Sequence, residues 1–186
     1  MRLIMAASLA ISILSPAALS ADPATAPAPA TLFGGKIEYT PPAGWSTVQS
    51  NLPADVAAVY IADDHDGYCA LQVLPENASI SSSAAQKILA QLRVNHKKAG
   101  QEIVEPAKII KDPHFAIRIH ERYKTKEGGV ADESHLYRQV GGRAMELDVQ
   151  SLSDNSKQVQ LVQKAGEDLL LSAHWVKATS GKKKAN

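Results

Sequence analysis

The sequence predicts an α+β domain in which an antiparallel sheet is packed between helices. Three observations predict it. Apolar residues alternate at period two in several short runs divided by Gly and Pro, and two longer segments switch to helical spacing. The elements also follow the order strand, hairpin, helix, three-stranded meander, helix, which favours helices laid on an antiparallel sheet over a parallel βαβ array.

The first strand is Lys36 to Thr40, where Ile37 and Tyr39 alternate with polar residues. Pro41-Pro42-Ala43-Gly44-Trp45 stops it, because the prolines lack amide donors and Gly44 permits a turn. Trp45 is expected in the core behind that turn. Val56 to Ala62 and Tyr68 to Leu74 form a hairpin across Asp63-Asp64-His65-Asp66-Gly67, whose closing Asp-Gly pair is a turn signal. Ser81 to Lys98 is a helix. Ala85, Ile88, Leu89, Leu92 and His96 recur on one face, the leading serines cap it and Gly100 stops it.

Gln101 to Lys111 is extended and interrupted by Pro106. In the strand His114 to Thr125, Phe115, Ile117, Ile119 and Tyr123 share a face. Val130 to Val140 follows a Gly128-Gly129 turn, and its register is ambiguous because Leu136 and Val140 share a face with Arg138. Arg143 to Leu152 follows Gly141-Gly142, with Met145, Leu147 and Val149 on one face and Glu146, Asp148 and Gln150 on the other. The last helix, about Asp154 to Ala173, has the stripe Val159, Val162, Gly166, Leu169, Leu170 and Ala173, with Ser153 or Asp154 as its cap. Trp175 and Val176 then reach the core edge.

The ends set the compartment. Arg2, the apolar run Leu3 to Leu14 and the small residues Ala17, Ala18, Ser20 and Ala21 have the layout of a secretory signal peptide over 1–21. The run is too short to span a bilayer of about 30 Å as a helix. Residues 22–31, rich in Pro and Ala, are expected to be a tether, 32–177 a single α+β domain, and 178–186 a disordered Lys-rich tail. The chain has 20 Lys plus Arg against 19 Asp plus Glu, and losing Arg2 with the signal removes the excess. A neutral domain has no electrostatic reason to bind nucleic acid or an anionic membrane. Cys69 is the single cysteine, so it closes no internal disulfide, and its apolar neighbours mark it as a buried small hydrophobe.

The opening Ile37-Glu38-Tyr39-Thr40-Pro41-Pro42-Ala43-Gly44-Trp45 and the closing Ser172-Ala173-His174-Trp175-Val176 resemble the Mog1/PsbP-like superfamily, which includes exported bacterial PsbP-like domains. The resemblance covers Leu32 to Lys177. It implies an α/β/α sandwich around an antiparallel sheet, and a role as a binding or assembly module, as in photosystem accessory proteins, a small-GTPase partner and bacterial envelope proteins. It supplies no site residues, because no site motif of the superfamily is present.

Candidate constellations are few. The acids of Asp63-Asp64-His65-Asp66 are consecutive, so their side chains diverge and make a poor cation cage. Asn77-Ala78-Ser79 matches a glycosylation sequon, and no Gly-x-Ser-x-Gly elbow, P-loop or dinucleotide fingerprint occurs. His114 and His120 sit on one strand face with Arg118 and Arg122, with His135 on the neighbouring strand. The two strand histidines lie about 20 Å apart, too far to share a metal ion. His96 is expected at a helix-face edge and His174 at the core edge.

The expectation is a non-catalytic, periplasmic or secreted module that contacts a protein partner in the envelope, in an inhibitor, immunity-like or accessory role. Its contact strip is His114, Arg118, His120 and Arg122, with no catalytic residue, no metal site, no cofactor and no stable membrane insertion. The alternative is a small-ligand or metal-binding protein, or a hydrolase whose site assembles from residues distant in sequence.

Overall fold

The computed structural model describes residues 27–48, 52–62, 66–76, 78 and 80–176. The signal peptide at 1–21, the tether up to residue 26, the hairpin tip Asp63-Asp64-His65, Asn77 and Ser79 of the sequon and the tail at 178–186 lie outside them.

In chain order the elements are β1 (Ala30–Leu32), β2 (Ile37–Tyr39), β3 (Trp45–Val48), β4 (Val56–Ala62), β5 (Gly67–Val73), α1 (Ser82–Ala99), β6 (Ile103–Ile110), β7 (Ile117–Lys124), β8 (Val130–Val140), β9 (Arg143–Ser151), α2 (Ser156–Ser172) and β10 (His174–Trp175). Seven strands form one sheet in the order β3-β4-β5-β9-β8-β7-β6, and β1-β2-β10 form a second. Every pairing is antiparallel. Ala30 and Thr31, read from sequence as tether, belong to β1 and pair with Tyr39 and Glu38. A strand of three residues is too short to show a period.

Alternation along each strand sends successive side chains to opposite faces. On one face Leu71, Leu136, Leu147 and Val149 pack against Val162, Leu169 and Leu170 of α2. On the other, Ile117, Ile119, Tyr137 and Ala144 pack against Ile88, Leu89 and Leu92 of α1. Neighbours in sequence such as Leu136 and Tyr137 thus fall in different clusters, which places the two helices on opposite sides of the sheet. The result is an α/β/α sandwich.

The helix ends follow local chemistry. Ser81 Oγ accepts from the Ala84 amide at 3.2 Å at the start of α1, and Gly100, with φ 65°, ends it in the left-handed region. At α2 the cap is Asn155, whose Oδ1 accepts from the Lys157 amide at 3.0 Å, rather than Ser153 or Asp154. Gly166 lets α2 close on β9, because a Cβ there would stand 2.3 Å from a Val149 methyl. Arg138 explains the ambiguous register of its strand. Its Nη1 donates to the carbonyls of Leu170, Leu171 and Ala173 at 2.9, 2.8 and 2.9 Å, so a cation set between Leu136 and Val140 on that face caps the C-terminus of α2.

Two placements differ from expectation. Trp45 is only partly buried, because it opens β3, the edge strand beside β4. Phe115 precedes β7 and joins the α2-side cluster, while Ile117 and Ile119 face α1.

Candidate functional site

The even residues of β7 face the α2 side. Arg118, His120 and Arg122 therefore share one face, opposite Leu136, Ser134 and Asp132 of β8. His114 does not join them. It lies before β7, exposed, with its amide donating to Asp112 Oδ1 at 2.8 Å.

The three remaining side chains are not a bare outward strip. Arg118 Nη1 lies 3.0 Å from Asp112 Oδ2 and 2.8 Å from Glu167 Oε1 of α2. His120 Nε2 lies 3.1 Å from Asp132 Oδ1, and Arg122 Nη1 lies 3.0 Å from Glu105 Oε1 of β6. Burial works against ionised Asp112, but the His114 amide and Arg118 outweigh it and hold the carboxyl below its usual range. The Arg122 hydrogen bond, then Lys108, lowers Glu105.

Between β7, β8 and the flank of α2 runs an open cleft of about 330 Å³, lined among others by Arg118, His120, Ser134, Gln163 and Glu167. Its polar atoms are incompletely paired. Ser134 is fully buried and Gln163 is 8 % exposed, yet Ser134 Oγ, Gln163 Oε1 and Arg118 Nε have no hydrogen-bond partner among the described residues. Buried polar atoms are ordinarily satisfied, so three unpaired ones beside one cleft mark it out.

The opposite face of the same strands is built differently. Cross-strand pairing sets Glu121 opposite Glu133, His135 opposite Asp148 and Tyr137 opposite Glu146. His96 of α1 reaches down so that its Nε2 meets Glu121 Oε2 at 2.8 Å, while its Nδ1 meets Gln101 Oε1 at 2.6 Å. His135 Nδ1 lies 2.6 Å from Asp148 Oδ1, and its Nε2 lies 3.4 Å from Glu121 Oε1. Tyr123 donates to Glu133 Oε2 at 2.6 Å, and Tyr137 donates to Glu146. Gln72 donates to Asp148 Oδ2 at 3.1 Å.

The electrostatics follow from this chain of contacts. Burial alone would raise Glu121, but hydrogen bonds from His135 and His96 overcome it and hold the carboxyl at about 2. Burial disfavours charged His135, yet Asp148, with Glu121 and Glu133, outweighs it and raises the imidazole well above its usual value. The hydrogen bond to Glu121 raises His96, against the pull of burial. Glu146 is pushed up to about 8 by burial and by Asp148, and Glu133 is raised by burial, with Asp148 adding to it. The contacts with Glu121 thus favour the protonated form of His96 and His135, while burial favours the neutral form of Glu133 and Glu146. Two trios, Glu121 with Glu133 and His135, and His135 with Glu146 and Asp148, bring ligand atoms within 4.8 Å of one another and could hold a divalent cation.

The sequence had assigned Glu146, Asp148 and Gln150 to an outer polar face and His96 to a helix-face edge. Glu146 and His96 are buried instead, with Asp148 half-buried between them. Only the register of three strands brings these residues together, and the signal available was the odd clustering of acids opposite His135. Cys69 sits on the α2 side, fully buried, and burial raises its thiol far from the thiolate form.

No protein-family model and no curated protein matches the sequence. Solved structures match by shape. Cyanobacterial PsbP (CyanoP) of Synechocystis sp. PCC 6803 is similar over 87% of this chain and 100% of its own, at TM-score 0.51 and 13% identity. The Ran-binding protein Mog1p of Saccharomyces cerevisiae is similar over 81% of this chain and 95% of its own, at TM-score 0.51 and 11% identity. A Bacteroides thetaiotaomicron VPI-5482 structure is similar over 83% of this chain at TM-score 0.52 and 14% identity, and this chain spans 50% of its length. An antiparallel sheet between two helices, with these neighbours, is the Mog1/PsbP-like fold. The sequence resemblance pointed to that fold. Among the described residues no helix is long and apolar enough to cross a membrane.

Proposed function

We propose that the protein is a non-catalytic binding module, exported to the periplasm or cell envelope, that contacts a protein partner through the cleft between β7 and α2. The observation that carries this reading is the open cleft with Arg118 and His120 on its wall and unpaired buried polar atoms beside it. Export rests on the signal-peptide layout of residues 1–21, with residue 22 onward as tether and 178–186 as tail. An inhibitor, immunity-like or accessory role is consistent with a fold that in one solved neighbour serves a Ran-binding protein. N-terminal sequencing of envelope material is expected to begin at Ala21 or Asp22; an intact Met1 would contradict export.

The binding test is affinity capture from envelope extract with wild-type protein and with Arg118→Gln/Arg122→Gln. Neutral substitution is preferred to charge reversal, because a glutamate at 118 would face Asp112 and Glu167. Loss of a captured protein, with the melting temperature within a few degrees of wild type, supports the reading; equal capture contradicts it.

A second reading, a metal-binding protein, has one observation in its favour: the convergence of the Glu121 and His135 trios. Zn²⁺ or Mn²⁺ at about tenfold molar excess would then raise the melting temperature of wild type but not of His135→Gln.

A further inference from the structure

We propose that the open edge of β6 pairs antiparallel with the same edge of a second copy of this chain, forming a twofold dimer. The inference goes beyond the partner-binding reading and does not depend on the cleft. β6 closes the seven-stranded sheet, so its outer edge has no strand beside it. Such an edge is a template for another strand. Ile103, Val104 and Ile109 of β6 are 39%, 42% and 39% exposed, three of the seven large apolar side chains that stand exposed among the described residues.

A twofold contact needs a surface that complements itself. Glu102-Ile103-Val104-Glu105-Pro106-Ala107-Lys108-Ile109-Ile110-Lys111 has that property: its acids fill one half, its lysines the other, and each half holds an apolar pair. The register on β7 gives the pattern its geometry. Glu105 stands opposite Arg122 and Lys108 opposite His120, one rung either side of Glu121. Ile103 stands opposite Tyr123 and Ile109 opposite Ile119, two rungs either side. In a regular strand Glu105 and Lys108, three residues apart, would point to opposite faces; the register shift between them puts both on the α2 side. A twofold axis at the Glu121 rung therefore sets Glu105 against Lys108 of the second copy, and Ile103 against its Ile109. Each pair shares a face and occurs twice.

Charges, Pro and bulges are also the devices that keep an edge unpaired. Here the sign of the charges favours pairing, because the antiparallel register brings opposite charges together at both sites. Lys108 Nζ lies 3.3 Å from Glu105 Oε2 within one chain, in a largely exposed contact. Turning each toward the second copy thus strands no buried charge. Pro106 removes one amide donor, and it falls at the bulge, where the ladder is already interrupted. Since the axis runs normal to the sheet, α2 of both copies lies on one side and the two clefts face the same way.

Sedimentation equilibrium on the purified protein tests the dimer. A rise toward twice the monomer mass is expected, with the dimer dominant near about 100 µM, the strength of a small interface. Glu105→Lys and Lys108→Glu each set like charges opposite one another at both symmetric sites. Either alone should weaken dimerisation about tenfold or more, with the melting temperature checking that the fold is kept. An equimolar mixture of the two variants recreates both opposite-charge pairs and should regain the dimer. The register is read by oxidising a mixture of Ile103→Cys and Ile109→Cys, which should yield a disulfide-linked dimer. Either variant alone should not, since its two copies of the new thiol lie four rungs, about 13 Å, apart. Cys69 is fully buried and stays out of the reaction. Monomer mass throughout overturns the proposal and leaves the edge to solvent or to a strand of another protein. A dimer indifferent to both charge variants, or equal crosslinking by either cysteine variant alone, overturns it as well.

Discussion

The two faces of β7 and β8 carry similar residues and use them oppositely. Toward α1, Glu121 links His96 to His135, His135 reaches Asp148, and Tyr123 donates to Glu133. Toward α2, Arg118 and Arg122 are ion-paired and His120 contacts Asp132, yet Ser134, Gln163 and Arg118 keep buried polar atoms without a partner among the described residues beside an open cleft. The difference shows that burial of charge alone does not identify a binding surface. A saturated network holds the fold in register, whereas the other face leaves an open cleft beside α2.

The comparison breaks most visibly at His135. His135→Leu removes one of the two imidazoles on buried Glu121 and the imidazole on half-buried Asp148, and should cost about 3–5 kcal/mol in denaturant unfolding; a loss below about 1 kcal/mol would mean that water reaches the network. Tyr137→Phe removes the donor to buried Glu146 and should cost about 1–3 kcal/mol. The pH dependence is a gentler probe. Glu121, held at about 2, contributes fully above about pH 4.5 and loses that contribution as pH falls. The raised imidazoles of His96 and His135 contribute below about pH 6.5 and lose this as pH rises through their folded values. Glu146 stays neutral up to about 8 while the unfolded chain ionises, which withdraws stability over the same rise. Glu121 is constant across neutral pH, so the histidine and Glu146 trends together predict a melting temperature that falls between about pH 5.5 and about pH 8.5; a rise across that range would reverse the assignment. The smallest effect belongs to the other face. Ser134→Ala removes a hydroxyl that has no partner and should change stability by about 0.5 kcal/mol or less, or raise it.

Period and punctuation made much of the architecture legible. Ser81 and Gly100 bracket α1 as its sequence signals require, and Pro106 lies where β6 slips register on the sheet edge. Elements of two or three residues, β1 and β10, carry no period and were missed. Arg138 obscured its strand because its role, capping α2, depends on a segment more than thirty residues away. The His–Glu network was invisible for the same reason: Glu146 and Asp148 look like a solvent face until β8 and β7 are placed beside them. Strand parity did put Arg118, His120 and Arg122 on one face, but His114 falls outside the strand, and the flanking carboxylates come from β6, β8, α2 and the loop before β7.

The most direct test of the division between the two faces is site-specific photo-crosslinking in the host envelope. A benzoylphenylalanine replaces either Gln160, exposed on the cleft's lining, or Val94, 45% exposed on α1. A crosslinked protein adduct from position 160 and none from position 94 is the predicted result. An adduct from position 94 alone, equal adducts from both, or none from position 160 would contradict it.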